Sequence, residues 1–168
     1  GVGRAPGTDP FTAAAIRYGS RVGPEHFPNM VFDLQALLND TDPITPGMED
    51  ARAFPKVINV PELWMLGSSE DSASLAALAG LPYNFAYFIN PQIRPDIFDY
   101  YREHFKPGPN LDIPRSTLTV FTICADSEEE AIELSKSRDL WFIRLLRGNP
   151  GPFPTVQEAS DYDYSNGE

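Results

Sequence analysis

Apolar and polar residues alternate between two rhythms along this chain, and the changes of rhythm mark its elements. Phe11 to Tyr18 is Ala-rich and follows Asp9-Pro10, a capping residue and a proline suited to a first turn, which predicts a helix ending at Gly19. After a loop from Ser20 to Pro28, the residues Val31, Leu34, Leu37 and Leu38 recur at a spacing that places them on one helical face. Residues 39–61 are rich in Asp, Pro and Gly and predict a long loop of the active-site or lid type, with a short strand at Lys56 to Asn59.

Beyond that loop the pattern becomes regular. Leu63-Trp64-Met65-Leu66 is an unbroken apolar run, as in a buried parallel strand. Gly67-Ser68-Ser69 turns it into a helix over Ala73 to Ala79, which Gly80 stops. Tyr83 to Ile89 predicts a second strand, Ile93 to Phe105 a helix, and Arg115 to Ala125 a third strand. Asp126 or Ser127 then caps a helix with Glu128, Glu129 and Glu130 in its first turn, where acidic charge suits the dipole, and Gly148 closes it. Strand–helix alternation of this kind predicts an α/β chain with parallel strands. The tail over 149–168, rich in Pro, Tyr and Asp, is predicted as extended surface chain.

Composition narrows the function classes. The 168 residues carry 13 basic against 24 acidic side chains, a net charge of −11. That balance is unsuited to neutralising nucleic-acid phosphates. No apolar stretch is long enough to span a membrane, and Gly1 to Pro10 lacks the layout of a signal peptide. A single cysteine, Cys124, makes no internal disulfide and fits a reducing, cytoplasmic compartment; its apolar strand setting predicts a small buried core residue. The 17 prolines imply rigid loops between short elements.

The sharpest chemical signal is the junction Leu66-Gly67-Ser68-Ser69-Glu70-Asp71-Ser72. The N–H groups and positive dipole at a helix start form an anion site, Gly67 admits close approach, and Ser68, Ser69 and Ser72 add hydroxyls. With no lysine following as in a P-loop, a phosphate monoester fits better than a nucleoside triphosphate. The alternative is that Ser68 or Ser69 simply caps its own helix. Arg4, just after the β-like stub Gly1 to Gly3, offers a planar fork for two phosphate oxygens; its plainer reading is a solvent-exposed terminal arginine. His26 and His104 lack metal-ligand spacing and read as surface residues, and Asp161 and Asp163 lack a calcium-loop pattern.

Several stretches together resemble the bacterial-luciferase-like family of flavin-dependent monooxygenases. They are Gly3-Arg4-Ala5-Pro6-Gly7-Thr8-Asp9-Pro10, Pro61 to Ser69 with Ser72-Ala73, Ala76 to Tyr83, Tyr101-Arg102-Glu103, and Ile123 to Ala131. The resemblance implies a (β/α)8 TIM barrel with flavin at the C-terminal ends of the strands. It implies that Arg4 and the Gly67-Ser68-Ser69 turn, helped by Ser72, clasp the FMN phosphate and that Leu66 lies near the flavin ring. The implied chemistry is oxygenation of a small organic substrate by reduced FMN and O2, with a flavin reductase as a possible partner and a deazaflavin as a possible replacement.

A full barrel needs about 250 residues. The resemblance covers its central to C-terminal part, so the expectation is one partial barrel domain over residues 1–168 that lacks the family's catalytic histidine. Neither His26 nor His104 matches that histidine. Such a chain is expected to bind flavin weakly, to be inactive alone, and to associate with copies of itself through open strand edges. The competing expectation is a non-catalytic α/β binding or oligomerisation module in which the serine turn is only a helix cap.

Overall fold

The computed structural model describes residues 1–4, 10–16, 22–56, 58–92, 95–149 and 151–166. Their helices are α1 (Pro10–Ile16), α2 (Phe27–Leu38), α3 (Glu70–Leu78), α4 (Pro95–His104), α5 (Glu128–Leu146) and α6 (Val156–Ser160). The strands are β1 (Met65–Gly67), β2 (Tyr83–Ala86) and β3 (Ser116–Thr119), a parallel sheet in the order β1-β2-β3. The register pairs Met65 with Tyr83 and Tyr83 with Ser116. The stub at the start of the chain joins the sheet in parallel, through Val2 N–H to Trp64 O at 2.8 Å and Leu66 N–H to Val2 O at 2.7 Å. The fold is therefore mixed α/β with each β-to-β step crossing over through a helix, as the alternating rhythm predicts. The chain forms two compact units, Gly1–Val120 and Phe121–Glu168.

In the first unit the core lies between one face of the sheet and helices α3 and α4. Met65, Tyr83 and Phe85 point from the strands into this layer, and Ala73, Ala76 and Ala77 meet them from α3. Alanine at the buried positions of α3 lets the helix lie close to the sheet, and the volume is made up by aromatic rings. Tyr83 packs 5.6 Å from Tyr101 and 6.5 Å from Phe85, centroid to centroid. The other face of the sheet carries polar side chains. Asn84 Nδ2 donates to Thr117 Oγ1 at 2.7 Å, and Thr119 Oγ1 donates to Asn84 Oδ1 at 2.8 Å. At the N-terminal ends of the strands, Arg115 pairs with Glu62 and lies 4.9 Å from the Trp64 ring centre.

Helix α3 closes in a Schellman motif. Gly80 is left-handed at φ 62°, Leu81 N–H reaches Ala76 O at 2.9 Å and Gly80 N–H reaches Ala77 O at 3.4 Å. Gln35 on α2 adds a bond from Nε2 to Ala79 O at 2.9 Å.

Several elements differ from the sequence expectation. Helix α2 starts at Phe27, well before Val31, with Pro28 in its first turn and a 3-10 turn at Pro24–His26 ahead of it. Leu34, Leu37 and Leu38 are only half-buried, while Asp33 and Gln35 are buried. No strand occurs among the described residues of 56–59. Strand β2 ends at Ala86 because Tyr87 to Ile89 turn back, with Ile89 N–H on Ala86 O at 3.0 Å. Strand β3 ends at Thr119, so the segment beyond it gains no sheet neighbour. Cys124 is exposed there, which corrects the buried core role expected of it. The predicted cap Asp9 and stop Gly19 of α1 lie outside the described residues.

In the second unit Ser127 caps α5, its Oγ accepting Glu130 N–H at 3.1 Å, and Gly148 ends the helix at φ 68°. The tail is not simply extended: α6 forms there because Thr155 and Glu158 make a reciprocal capping box.

Asp33 explains how the long loop is fastened. Its carboxylate accepts Thr45 Oγ1–H, Ile44 N–H at 2.7 Å and Thr45 N–H at 3.0 Å. The Thr45 hydroxyl bond, with the two backbone bonds behind it, outweighs desolvation and holds the carboxyl below its ordinary value of 3.8. The folded pKa lies below the unfolded one, so this stabilisation is complete above the ordinary carboxylate range and fades as pH falls below it. Asp33→Asn is expected to cost about 2 kcal/mol at pH 7. In urea unfolding the gap between variant and parent should narrow by pH 3; an unchanged gap would show that the charge is not what fastens the loop.

Candidate functional site

A cavity of about 460 Å³ opens at the C-terminal end of β1. That is an ordinary size for a small-molecule site. Gly3 and Arg4 enter it from the stub, Leu66 and Gly67 from the strand, and Ser68, Ser69 and Ser72 from the turn and first turn of α3. The structure thus brings together, in one cavity, every residue that the sequence singled out as a phosphate or flavin contact: Arg4, Leu66, Gly67, Ser68, Ser69 and Ser72.

Local chemistry shapes the turn. Ser69 is the N-cap of α3 in extended conformation and forms a capping box with Ser72. Ser69 N–H donates to Ser72 Oγ at 3.3 Å, and Ser72 Oγ donates to Ser69 O at 2.6 Å. The same pair of serines therefore caps α3 and lines the cavity. Gly67 has no room for a side chain, because a Cβ there would overlap Cβ and Oγ of Ser72. The bare Cα admits Ser72, a tighter reason for glycine than ligand approach. Gly3 is also crowded, its missing Cβ falling 3.0 Å from Leu66 O.

The electrostatics oppose one another across the cavity mouth. Arg4 Nη2 lies 3.7 Å from Asp71 Oδ2, and both side chains are largely exposed. An exposed pair of this length is weak, so the guanidinium is easily drawn to a better anion. Asp71 lines the same cavity and repels such an anion.

Sequence reasoning missed the apolar walls. Phe27 and Pro28 come from the start of α2, Leu75 from α3 and Ile89 from the turn after β2. Leu75 was within reach of a pattern argument, since Asp71, Ser72 and Leu75 are spaced to share a helix face. Phe27 and Pro28 fell in a predicted loop, and Ile89 in a predicted strand. His26 and His104 do not line the cavity: His26 Nε2 sits 3.5 Å from Glu25, and His104 stacks on Tyr100 at 4.1 Å.

A luciferase-like monooxygenase of Escherichia coli is 34% identical over 168 residues, all of this chain and 49% of its own length. YceB of Bacillus subtilis, itself uncharacterised, is 37% identical over 165 residues, 98% of this chain and 50% of its own. Over its full length the chain is thus similar to luciferase-like monooxygenases. The crystal structure of apo-MsnO8 is similar to it in fold, with a TM-score of 0.73 and 32% identity over 94% of this chain and 46% of that one. The chain spans about half the length of these relatives. No protein-family model matches it. Among the described residues, no helix is long and apolar enough to cross a membrane.

Proposed function

We propose that this luciferase-like chain carries the phosphate-binding half of an FMN site and belongs to a partial (β/α)8 barrel. The reading rests on one observation: Arg4 and the serine turn converge on a single cavity at the C-terminal end of a parallel strand. The donor set suits a phosphate monoester. A planar cation, two serine hydroxyls and a helix N-terminus surround the space, and no lysine of the P-loop kind is present in the turn.

In this reading Arg4 leaves Asp71 and forks onto two phosphate oxygens, while Ser68 and Ser69 donate to the remaining ones. Leu66 and the walls Phe27, Leu75 and Ile89 exclude water from the adjoining part of the ligand. The bound flavin supplies the redox chemistry with O2 and a small organic substrate, and this chain supplies binding and orientation. A deazaflavin bearing a phosphate satisfies the same contacts. The isolated chain holds this half of the site only, so it binds FMN weakly and does not turn over. Supply of reduced flavin by a reductase, association with further copies and a cytoplasmic setting complete the proposal. The exposed Leu118 and Val120 at the end of β3 support the association and equally the second reading, a non-catalytic oligomerisation module.

Fluorescence titration separates the two. FMN is expected to bind saturably and riboflavin far more weakly. Arg4→Ala should weaken FMN about tenfold while leaving riboflavin unchanged, as for loss of a charge-assisted hydrogen bond. Asp71→Asn should tighten FMN by removing the opposing charge. Equal affinity for FMN and riboflavin would sink the phosphate clasp and leave the module.

A further inference from the structure

The serine turn is held from behind by residues that do not touch the cavity. Tyr83 is fully buried in β2 and lies among Phe85, Phe98 and Tyr101. Its hydroxyl nevertheless reaches the turn, 3.2 Å from Ser72 Oγ and 3.5 Å from both Gly67 O and Ser69 O. The direction of these bonds follows from proton supply. Ser72 has one hydroxyl proton, and its 2.6 Å contact with Ser69 O takes it. Tyr83 is therefore the donor toward Ser72, in a chain from Tyr83 through Ser72 to the Ser69 carbonyl. Burial pushes the Tyr83 phenol above its ordinary value of 10.0, so it stays protonated and a donor throughout the neutral range.

The neighbouring carbonyl is held too, with Asn90 Nδ2 donating to Ser68 O at 3.3 Å. In a trans peptide the C=O and the following N–H point in opposite directions. Fixing the Ser69 carbonyl toward Ser72 turns the N–H group of Glu70 the other way. A turn of glycine and serines has little intrinsic rigidity. This backing supplies the rigidity that an anion cradle needs.

We propose that Tyr83 is a positioning residue for the phosphate turn, acting through Ser72 and never touching the ligand. The inference rests on the phosphate-site reading of the serine turn. It predicts a property that a purely structural tyrosine lacks, and the molecule contains the matching control. Tyr101 is equally buried, and its hydroxyl donates to Leu81 O at 2.9 Å and accepts Arg115 N–H at 3.2 Å, at the N-terminal ends of the strands. Tyr83→Phe and Tyr101→Phe each delete one buried, hydrogen-bonded hydroxyl, at opposite ends of the same sheet.

The test measures thermal midpoints and FMN and riboflavin affinities for the parent chain and both variants. The two variants are expected to lower the midpoint alike. Only Tyr83→Phe should weaken FMN, by about tenfold, with riboflavin unchanged. Adding Ser72→Ala to Tyr83→Phe should cost no further FMN affinity, because the two hydroxyls act in series. FMN affinity of Tyr83→Phe within twofold of Tyr101→Phe overturns the proposal. Should Tyr83→Phe fail to fold, Ser72→Ala alone must show the selective FMN loss, and its absence overturns the proposal as well. A parent chain that does not distinguish FMN from riboflavin overturns the phosphate reading and this inference together. That outcome is separate from a parent that distinguishes them while Tyr83→Phe does so equally well.

Discussion

Gly80→Ala is expected to lower the stability of the first unit by about 4 kcal/mol, a drop of roughly 15 °C in thermal midpoint. Two costs add. The residue sits at φ 62°, where an L-side chain costs about 1–2 kcal/mol. The added methyl would also lie 2.5 Å from Gly108 N, 2.6 Å from Gly108 Cα and 2.7 Å from Lys106 O. All three are backbone atoms, so no side chain can swing aside. Moving them would disturb the Lys106 N–H bond to Ala77 O, 2.9 Å long, and with it the fit of the α4 exit on the end of α3. Gly148 separates the two costs, since it has a similar φ of 68° with no atom within 4 Å of a would-be Cβ. Gly148→Ala should therefore show only the conformational part, about 1 kcal/mol. Equal losses at the two glycines would mean that the contact with Gly108 is not tight.

The same glycine marks the limit of what local sequence discloses. Its position after an Ala-rich run announced the end of α3, because only backbone and propensity are involved in that signal. Its close approach to Gly108 depends on a chain segment far away in sequence, and no local pattern reports it. The other elements divide along the same line. Ser127 before Glu128-Glu129-Glu130 was legible as a cap, as was the strand–turn–helix at Gly67-Ser68-Ser69. The early start of α2 was not legible, because Pro24 and Pro28 read as loop residues when they in fact occupy a 3-10 turn and a helical first turn. Asp33 and Gln35 broke the apolar face expected of α2, and their partners Thr45 and Ala79 are supplied only by the fold.

The candidate site divides likewise. Arg4 and the serines carry polar chemistry that a sequence displays openly, though taken alone they fit a helix cap and an exposed arginine as well as an anion site, and the family resemblance is what favours the anion. Phe27, Leu75 and Ile89 are ordinary apolar residues until three separate elements bring them to one cavity. Tyr83 is the extreme case. As a strand residue it reads as core, which its ring is, and only the geometry places its hydroxyl beneath the serine turn.

Gly67→Ala is the substitution expected to harm the site most. The added Cβ would overlap Cβ and Oγ of Ser72, so either the turn or the first turn of α3 must move. Overpacking of this kind costs about 1–3 kcal/mol. The larger effect falls on function, because Ser72 is the relay between Tyr83 and the Ser69 carbonyl. Displacing it should weaken FMN at least tenfold while riboflavin is unaffected. Removal of the colliding group gives a rescue test: Ser72→Gly in the Gly67→Ala background relieves the overlap and should recover most of the lost stability. It should not recover FMN affinity, since the Ser72 hydroxyl is gone. Stability and affinity would then part company in one pair of variants. If both returned together, the Ser72 hydroxyl would have no part in shaping the turn, and Gly67 would matter only for packing.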